Sequence, residues 1–147
     1  MIGAARRGAW VSLFVAAALV AVPFVARAQA AQPPMHKAVF QVSDNDPQKW
    51  NLVLNNARNV QDDLGAEATE LEIVVYGPGI GMLKSDSPLA KRITDALKSG
   101  IKVVACENTM KNQKLTHADM LPDIGYVGAG VVELMKKQQQ GYAYIKP

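Results

Sequence analysis

The chain has 147 residues, of which 49% are hydrophobic and 20% are charged, with a formal net charge of +3 and one cysteine. The net charge comes entirely from Arg6, Arg7 and Arg27, and the balanced remainder argues against nucleic acid as a partner. One cysteine also excludes an intramolecular disulfide framework.

The first residues are typical of a secretory signal peptide. Arg6 and Arg7 form a basic start, residues 8–25 are almost entirely apolar, and residues 26–30 contain two small-x-small cleavage patterns. We therefore expect residues 1–30 to be removed, which leaves no stable membrane anchor. An uncleaved anchor is the alternative. Sec-type export is favoured over the twin-arginine route, so we expect a periplasmic protein.

The rest of the chain, about 117 residues, predicts one domain large enough to bury its own core. Residues 31–37 are proline-rich and without periodicity, which favours a flexible lead-in. Residues 38–147 are then the folded domain.

This domain opens with a short strand over residues 38–42. Asp46 followed by Pro47 is a helix start, and apolar residues at three- and four-residue steps continue the helix to Gly65. Residues 71–76 predict a second strand. Its consecutive apolar residues favour a strand covered on both faces.

A glycine-rich segment, residues 77–81, ends the second strand. Ser87 and Pro88 predict the start of a second helix, which Gly100 ends. Residues 101–105 form a third strand that leads directly into Cys106. A short helix or turn over residues 107–113 follows.

The last part of the chain predicts a capped turn at Thr116 to Asp119, a short strand over residues 124–127, a helix and a final strand over residues 142–145. Val131, Leu134, Met135 and Gln138 mark the last helix, and its periodicity predicts that Met135 belongs to the core. Trp50 is expected in the core on the same grounds.

Strands that alternate with helices indicate an α/β fold around a mostly parallel sheet. In such a sheet the carboxyl ends of the strands share one rim, where ligands bind. Three segments are predicted to meet there: residues 43–46, 76–81 and 106–109.

Cys106 is the first candidate site residue. Asn108 and Thr109 follow it at a predicted helix start, and amides there would stabilise a thiolate and lower the pKa of the thiol. The neighbouring Glu107 carboxylate would raise the pKa of the thiol. The alternative is a buried cysteine that only packs, and the residues alone leave the two nearly even.

The glycine-rich segment is the second candidate. The N–H groups of Gly77, Gly79 and Gly81 could hold an anion, although the spacing fits neither a dinucleotide-binding nor a P-loop motif. A tight loop that needs positive φ is the favoured interpretation.

His117 is a candidate base for Cys106, although a solvated histidine in a short helix is the favoured interpretation. No group of cysteine, histidine and carboxylate residues has the spacing of a metal site, so neither a metal nor a cofactor is expected.

The order of these elements, with the segments Val-Val-Tyr-Gly-Pro-Gly, Ala-Cys-Glu-Asn-Thr-Met and Gln-Gly-Tyr-Ala-Tyr-Ile-Lys-Pro, resembles the DsrE/DsrF-like family. The resemblance implies a three-layer sandwich around a mostly parallel sheet of about five strands, as in the DsrE/YchN-like fold. It also implies a homo-oligomer, either a trimer or a hexamer. Cys106 matches the cysteine that carries persulfide sulfur in the sulfur-relay members. Related chains often have His-Gly where this chain has Tyr76 and Gly77.

Our leading hypothesis is a periplasmic sulfur carrier that bears a persulfide on Cys106 and exchanges sulfur with a donor or acceptor. The alternative is a non-catalytic module that binds a small anion or mediates assembly, with a structural cysteine. A third possibility is a disulfide between two copies of the chain.

Overall fold

A computed structural model describes residues 35–147 of the chain. The predicted signal peptide and most of the predicted lead-in lie outside the described residues. No helix in the described part has the length and apolar character needed to cross a membrane.

Within residues 35–147, five strands form one sheet in the order β4-β3-β2-β1-β5, and every neighbouring pair is parallel. The strands are β1 (His36–Val42), β2 (Thr69–Val75), β3 (Lys102–Cys106), β4 (Gly125–Val127) and β5 (Ala143–Ile145). β1 begins two residues before its predicted start. The predicted parallel α/β fold is confirmed, and all five predicted strands are present.

Four α-helices connect or follow these strands: α1 (Pro47–Leu64), α2 (Ala90–Lys98), α3 (Glu107–Asn112) and α4 (Gly130–Gln139). Asp46 caps α1 as predicted, because its carboxylate accepts a hydrogen bond of 2.8 Å from the Gln48 amide. Gly65 ends α1 with a φ of 88°, a conformation that favours glycine.

The sheet separates two apolar clusters. α1 and α2 cover one face, where Phe40, Ile73 and Ile93 are fully buried. The other face carries a smaller cluster that includes Val74, Val104 and Leu134 of α4. Helices on both faces of one sheet make the predicted three-layer sandwich, which the fold confirms.

The prediction that Met135 belongs to the core was wrong, since it is 56% exposed, as is Val131. α4 instead buries Gly130, Leu134 and Lys137 against the sheet. Those three positions also recur at helical spacing, but two of them are not large apolar residues. The apolar side of α4 therefore faces outward.

The glycine-rich segment is a 3-10 helix, Gly77–Leu83, rather than an irregular loop. Only Gly77 needs a left-handed conformation, with a φ of 56°. Gly79 is required for close packing instead, because a Cβ there would lie 2.9 Å from the carbonyl oxygen of Val42. This contact brings the segment against the end of β1.

α2 begins at Ala90, later than the predicted start at Ser87. The Ser87 hydroxyl does accept a hydrogen bond of 3.3 Å from the Leu89 amide, but the residues between form a turn before the helix. Ser87 and Pro88 therefore lie just before α2, not at its first residues.

Candidate functional site

Cys106 is the last residue of β3 and directly precedes α3. Side chains alternate between the two faces of a strand, so Cys106 projects to the same face as Val104, the face that α4 covers. The residue is only 5% exposed. Its exposed neighbours Asn108 and Gly128 place the thiol just beneath the surface of the molecule.

The glycine-rich segment and the cysteine segment meet at the rim, as predicted. The Gly77 amide donates a hydrogen bond of 2.9 Å to the Thr109 hydroxyl, and the Gln113 side chain donates one of 3.3 Å to the Gly77 carbonyl. Residues 43–46 also join them, because the Gly79 amide donates to the Ser43 carbonyl at 3.1 Å.

Opposing effects act on the Cys106 thiol. Burial raises its pKa, whereas a hydrogen bond from the Thr109 side chain lowers it. Backbone amides lower it further, and they belong to Gly130, Thr109 and Asn108. Together these donors outweigh burial, so the pKa lies below the ordinary value of a thiol.

Two helix starts supply these amides. Asn108 and Thr109 lie in the first turn of α3, and Gly130 is the first residue of α4. N–H groups at a helix start favour a negative charge nearby, and of these the Asn108 amide also donates to the Gly128 carbonyl at 3.1 Å. The thiolate is thus stabilised from two directions.

The Thr109 hydroxyl is oriented by the glycine-rich segment. Its oxygen accepts the hydrogen bond from the Gly77 amide, so the hydroxyl proton is available for the Cys106 sulfur. Gly77 therefore acts on the thiol through Thr109 rather than through a ligand.

The same geometry argues against an anion cradle in the glycine-rich segment. The Gly77 amide is taken by Thr109, and the Gly79 amide donates to the Ser43 and Tyr76 carbonyls. A Cβ on Gly81 would contact the Trp50 ring at 3.4 Å, which makes Gly81 a packing position. The role of these glycines in the described residues is structural.

The contacts of His117 are with Glu107 and Tyr126, not with the Cys106 thiol. It is exposed, its Nε2 lies 3.5 Å from the Glu107 carboxylate, and its ring stacks on Tyr126 at 3.7 Å. None of the hydrogen bonds that lower the pKa of Cys106 comes from His117. These contacts fit the solvated histidine rather than the base, and they give the Glu107 carboxylate a partner of its own.

The sequence did not single out Gly130, and it pointed to Tyr76 only as the residue that stands where related chains often have histidine. Gly130 supplies an amide to the thiol, and Tyr76 packs against Gly130, where an added Cβ would lie 2.9 Å from the Tyr76 Cδ1 atom. The signal that points to Gly130 is the Gly-Ala-Gly run after β4, because β4 is the strand next to Cys106.

A cleft of about 360 Å³ lies beside the thiol, between the start of α3 and α4. Asn108, Gly128 and Val132 are among its walls. A second cleft of about 380 Å³ lies between α1 and α2, with Arg58 and Arg92 in its walls. Cys106 lines neither. Within residues 35–147, no group of three or more metal-ligating side chains is arranged to hold an ion.

Thr109→Val is expected to raise the pKa of Cys106, because it removes the hydroxyl and keeps the shape of the side chain. A hydrogen bond to a charged group contributes about 1.5–3 kcal/mol, so the thiolate at neutral pH should fall about ten-fold or more. The ultraviolet absorbance of the thiolate, followed against pH, measures this. Thr94→Val on α2 is the matched control and should leave the titration unchanged, whereas an unchanged titration in Thr109→Val would contradict the assigned role.

The model of the DsrE/DsrF-like family matches residues 36–147. No curated protein matches the chain significantly. Among solved structures, the chain is similar to the protein of unknown function MTH1491 from Methanobacterium thermoautotrophicum, with 29% identity and a TM-score of 0.73 over 76% of this chain and 99% of that chain. It is also similar to the ychN protein from E. coli, with 12% identity and a TM-score of 0.63 over 77% and 100% of the two chains. The second similarity shows the fold alone.

Proposed function

The chain belongs to the DsrE/DsrF-like family, which is related to sulfur relay, and from this premise we propose that it carries sulfur as a persulfide on Cys106. The observation that carries the proposal is the set of hydrogen-bond donors around the thiol. A thiolate, not a thiol, is the nucleophile in sulfur chemistry, and these donors favour the thiolate.

Loading of the carrier needs only a donor that contains sulfane sulfur, such as a polysulfide. The Cys106 thiolate attacks the terminal sulfur of the polysulfide dianion and forms a new S–S bond. The neighbouring S–S bond of the donor breaks, and its electron pair leaves with the polysulfide dianion that is one sulfur shorter. Charge and sulfur are balanced, so the step requires no external oxidant.

Unloading relies on the same hydrogen-bond donors around the Cys106 sulfur. An acceptor thiolate attacks the outer sulfur of the Cys106 persulfide and takes it, and Cys106 leaves as a thiolate. The amide of Gly130 and the hydroxyl of Thr109 stabilise that leaving group. The same hydrogen-bond donors therefore assist both the loading and the unloading of sulfur.

The alternative is an assembly module in which Cys106 only packs. The observation that favours it is the outward apolar side of α4, where Val131, Val132 and Met135 are all more than 40% exposed. Self-association is compatible with either function. The depressed pKa of Cys106 has no role in a module of this kind, which is why we favour the carrier.

Incubation of the protein with polysulfide, followed by removal of excess reagent and intact mass spectrometry, tests the proposal. We expect the mass to increase by one sulfur atom per chain, and a small thiol acceptor added afterwards should remove that sulfur. A protein that gains no sulfur would leave the assembly module as the better interpretation.

A third possibility, a disulfide between two copies, is disfavoured by the burial of Cys106. Two cysteines must bring their Cα atoms to within about 7 Å to form a disulfide. The sulfur of a residue that is 5% exposed does not reach a second copy unless the surrounding segments move.

A further inference from the structure

The Cys106 sulfur is activated and covered at the same time. Its pKa is depressed, yet the residue is only 5% exposed, so little of the thiol faces a sulfur donor in solution. Something next to the thiol must move before the proposed chemistry takes place. The residues that surround the sulfur differ in whether their movement would break the hydrogen bonds that lower the pKa of the thiol.

The segment of residues 128–130 cannot move without loss of the activating contacts. The Gly130 amide is one of the donors to the sulfur, and the Gly128 carbonyl lies 4.0 Å from the sulfur. The same carbonyl accepts a hydrogen bond of 3.1 Å from the Asn108 amide. Displacement of this segment would therefore separate the starts of α3 and α4 and deactivate the thiol.

Thr109 is held in the same way. Its hydroxyl bridges the Gly77 amide and the Cys106 sulfur, so a rotation of this side chain would break both interactions. It would also leave the Gly77 amide without its acceptor. Thr109 is thus a fixed part of the site.

Tyr76 is the neighbour whose displacement would leave the activating hydrogen bonds in place. Val75 of β2 pairs with Ala105 of β3, so Tyr76 and Cys106 are the next neighbours across the two strands and project to the same face. The Tyr76 ring packs against Gly130 and is partly exposed. It donates nothing to the sulfur among the contacts that lower the pKa of the thiol.

The Tyr76 hydroxyl interacts with the Ser43 hydroxyl, which accepts a hydrogen bond of 3.1 Å from the Gln41 amide group. Gln41 in turn accepts a hydrogen bond of 2.5 Å from the Tyr144 hydroxyl. This row of uncharged groups runs across β5, β1 and β2 and ends beside the thiol. The contact of the phenol with Ser43 and the packing against Gly130 hold the ring in place.

We propose that the Tyr76 ring controls access to Cys106, and that it selects small linear inorganic sulfur donors over reagents whose reactive S–S bond is attached to a bulky group. This inference rests on the proposed function of Cys106. A polysulfide chain is one sulfur atom wide, so it needs only a small displacement of the ring. A donor with a bulky group next to its sulfur requires the ring to leave its place between Ser43 and Gly130.

The test compares two thiol reagents, the small iodoacetamide and a bulky aromatic disulfide, on the wild type and on Tyr76→Ala. We expect Tyr76→Ala to increase the rate with the bulky disulfide by about ten-fold or more and the rate with iodoacetamide much less, because access is one determinant of the rate of thiol exchange. The pH midpoint of the reaction should not rise, since Tyr76 is not among the hydrogen-bond donors and the loss of burial can only lower the pKa of the thiol.

Two further variants keep the test independent of a folding defect. Ser43→Ala retains the ring and removes its polar contact together with the hydrogen bond from Gln41, so it should shift the ratio of the two rates in the same direction by a smaller factor. Tyr126→Ala removes a tyrosine from β4, which pairs with the strand of Cys106, and should leave the ratio of the two rates unchanged. An unchanged ratio in both Tyr76→Ala and Ser43→Ala would overturn the proposal.

These measurements do not depend on sulfur loading. If the ratio changes but polysulfide adds no sulfur to the wild type, access control by Tyr76 stands and the carrier function fails. If sulfur loads normally and the ratio is unchanged, the carrier function stands and access control fails.

Discussion

Cys106→Ser is expected to abolish sulfur uptake from polysulfide, while the wild type gains one sulfur atom per chain. Serine has nearly the same shape but cannot form a persulfide. The residue lies among hydrogen-bond donors and beside the Gly128 carbonyl, so a hydroxyl finds partners there. We therefore expect the free energy of unfolding to change by only about 1 kcal/mol. Intact mass spectrometry and denaturant unfolding measure the two quantities.

A cysteine placed elsewhere provides the control for this experiment. The double variant Cys106→Ser, Asn59→Cys again has one thiol, but on the exposed side of α1 and far from the donors of the site. We expect sulfur loading by this thiol to have a higher pH midpoint than loading by Cys106, because its pKa is not lowered by helix amides. Equal pH midpoints in both proteins would show that the environment of Cys106 does not activate the thiol.

Lys137→Met is expected to produce the largest loss of stability among the single substitutions considered. The Lys137 amine lies 2.7 Å from the Glu72 carboxylate, and the two side chains are only 11% and 4% exposed. The other carboxylate oxygen of Glu72 has no hydrogen-bond partner in the described residues. Loss of the lysine leaves a buried charge without compensation, which reduces the free energy of unfolding by about 3–5 kcal/mol.

The loss should depend on pH in a defined direction. Burial raises the pKa of Glu72, and Lys137 opposes that effect. Without the lysine the folded-state pKa rises further, so the folded protein binds the proton more tightly than the unfolded chain does. The variant is then closest to wild type below the unfolded pKa, and its deficit grows as pH rises through the folded pKa. Urea unfolding at about pH 5 and about pH 8 should give the larger deficit at the higher pH.

Lys136→Met is the matched control for this prediction. It removes the same charge from the next position of α4, where the side chain is exposed, and should change the free energy of unfolding by less than about 0.5 kcal/mol. The double variant Glu72→Met, Lys137→Met should recover much of the lost stability, since both polar partners are then replaced. Equal effects of Lys136→Met and Lys137→Met would contradict the assigned role of the buried pair.

The α4 helix shows where hydrophobic periodicity is a poor guide. Val131, Val132 and Met135 are apolar, and a helix that covers a sheet is expected to turn such residues inward. Here the inner positions include Gly130, which makes room for Tyr76, and Lys137, which neutralises Glu72. Tertiary demands at two positions therefore override the pattern, and the apolar side of the helix is left outside.

Tyr76 shows a different limit. From the sequence it was notable only as the residue that replaces a histidine found in related chains. Its relation to the thiol depends on the register between β2 and β3 and on the close approach of Gly130. Neither is visible in the sequence, because register is set by the packing of both faces of the sheet.

The sequence alone determined that Cys106 ends a strand, that Asn108 and Thr109 begin the helix after it, and that the glycine-rich segment lies on the same rim. Caps, β-branched runs and the alternation of strands with helices are local signals, and parallel strands must align their carboxyl ends. Only the tertiary structure decided that the start of α4 also reaches the thiol, that Glu107 pairs with His117, and that the sulfur is covered. These features depend on distances between segments that are remote in the chain, and packing alone sets such distances.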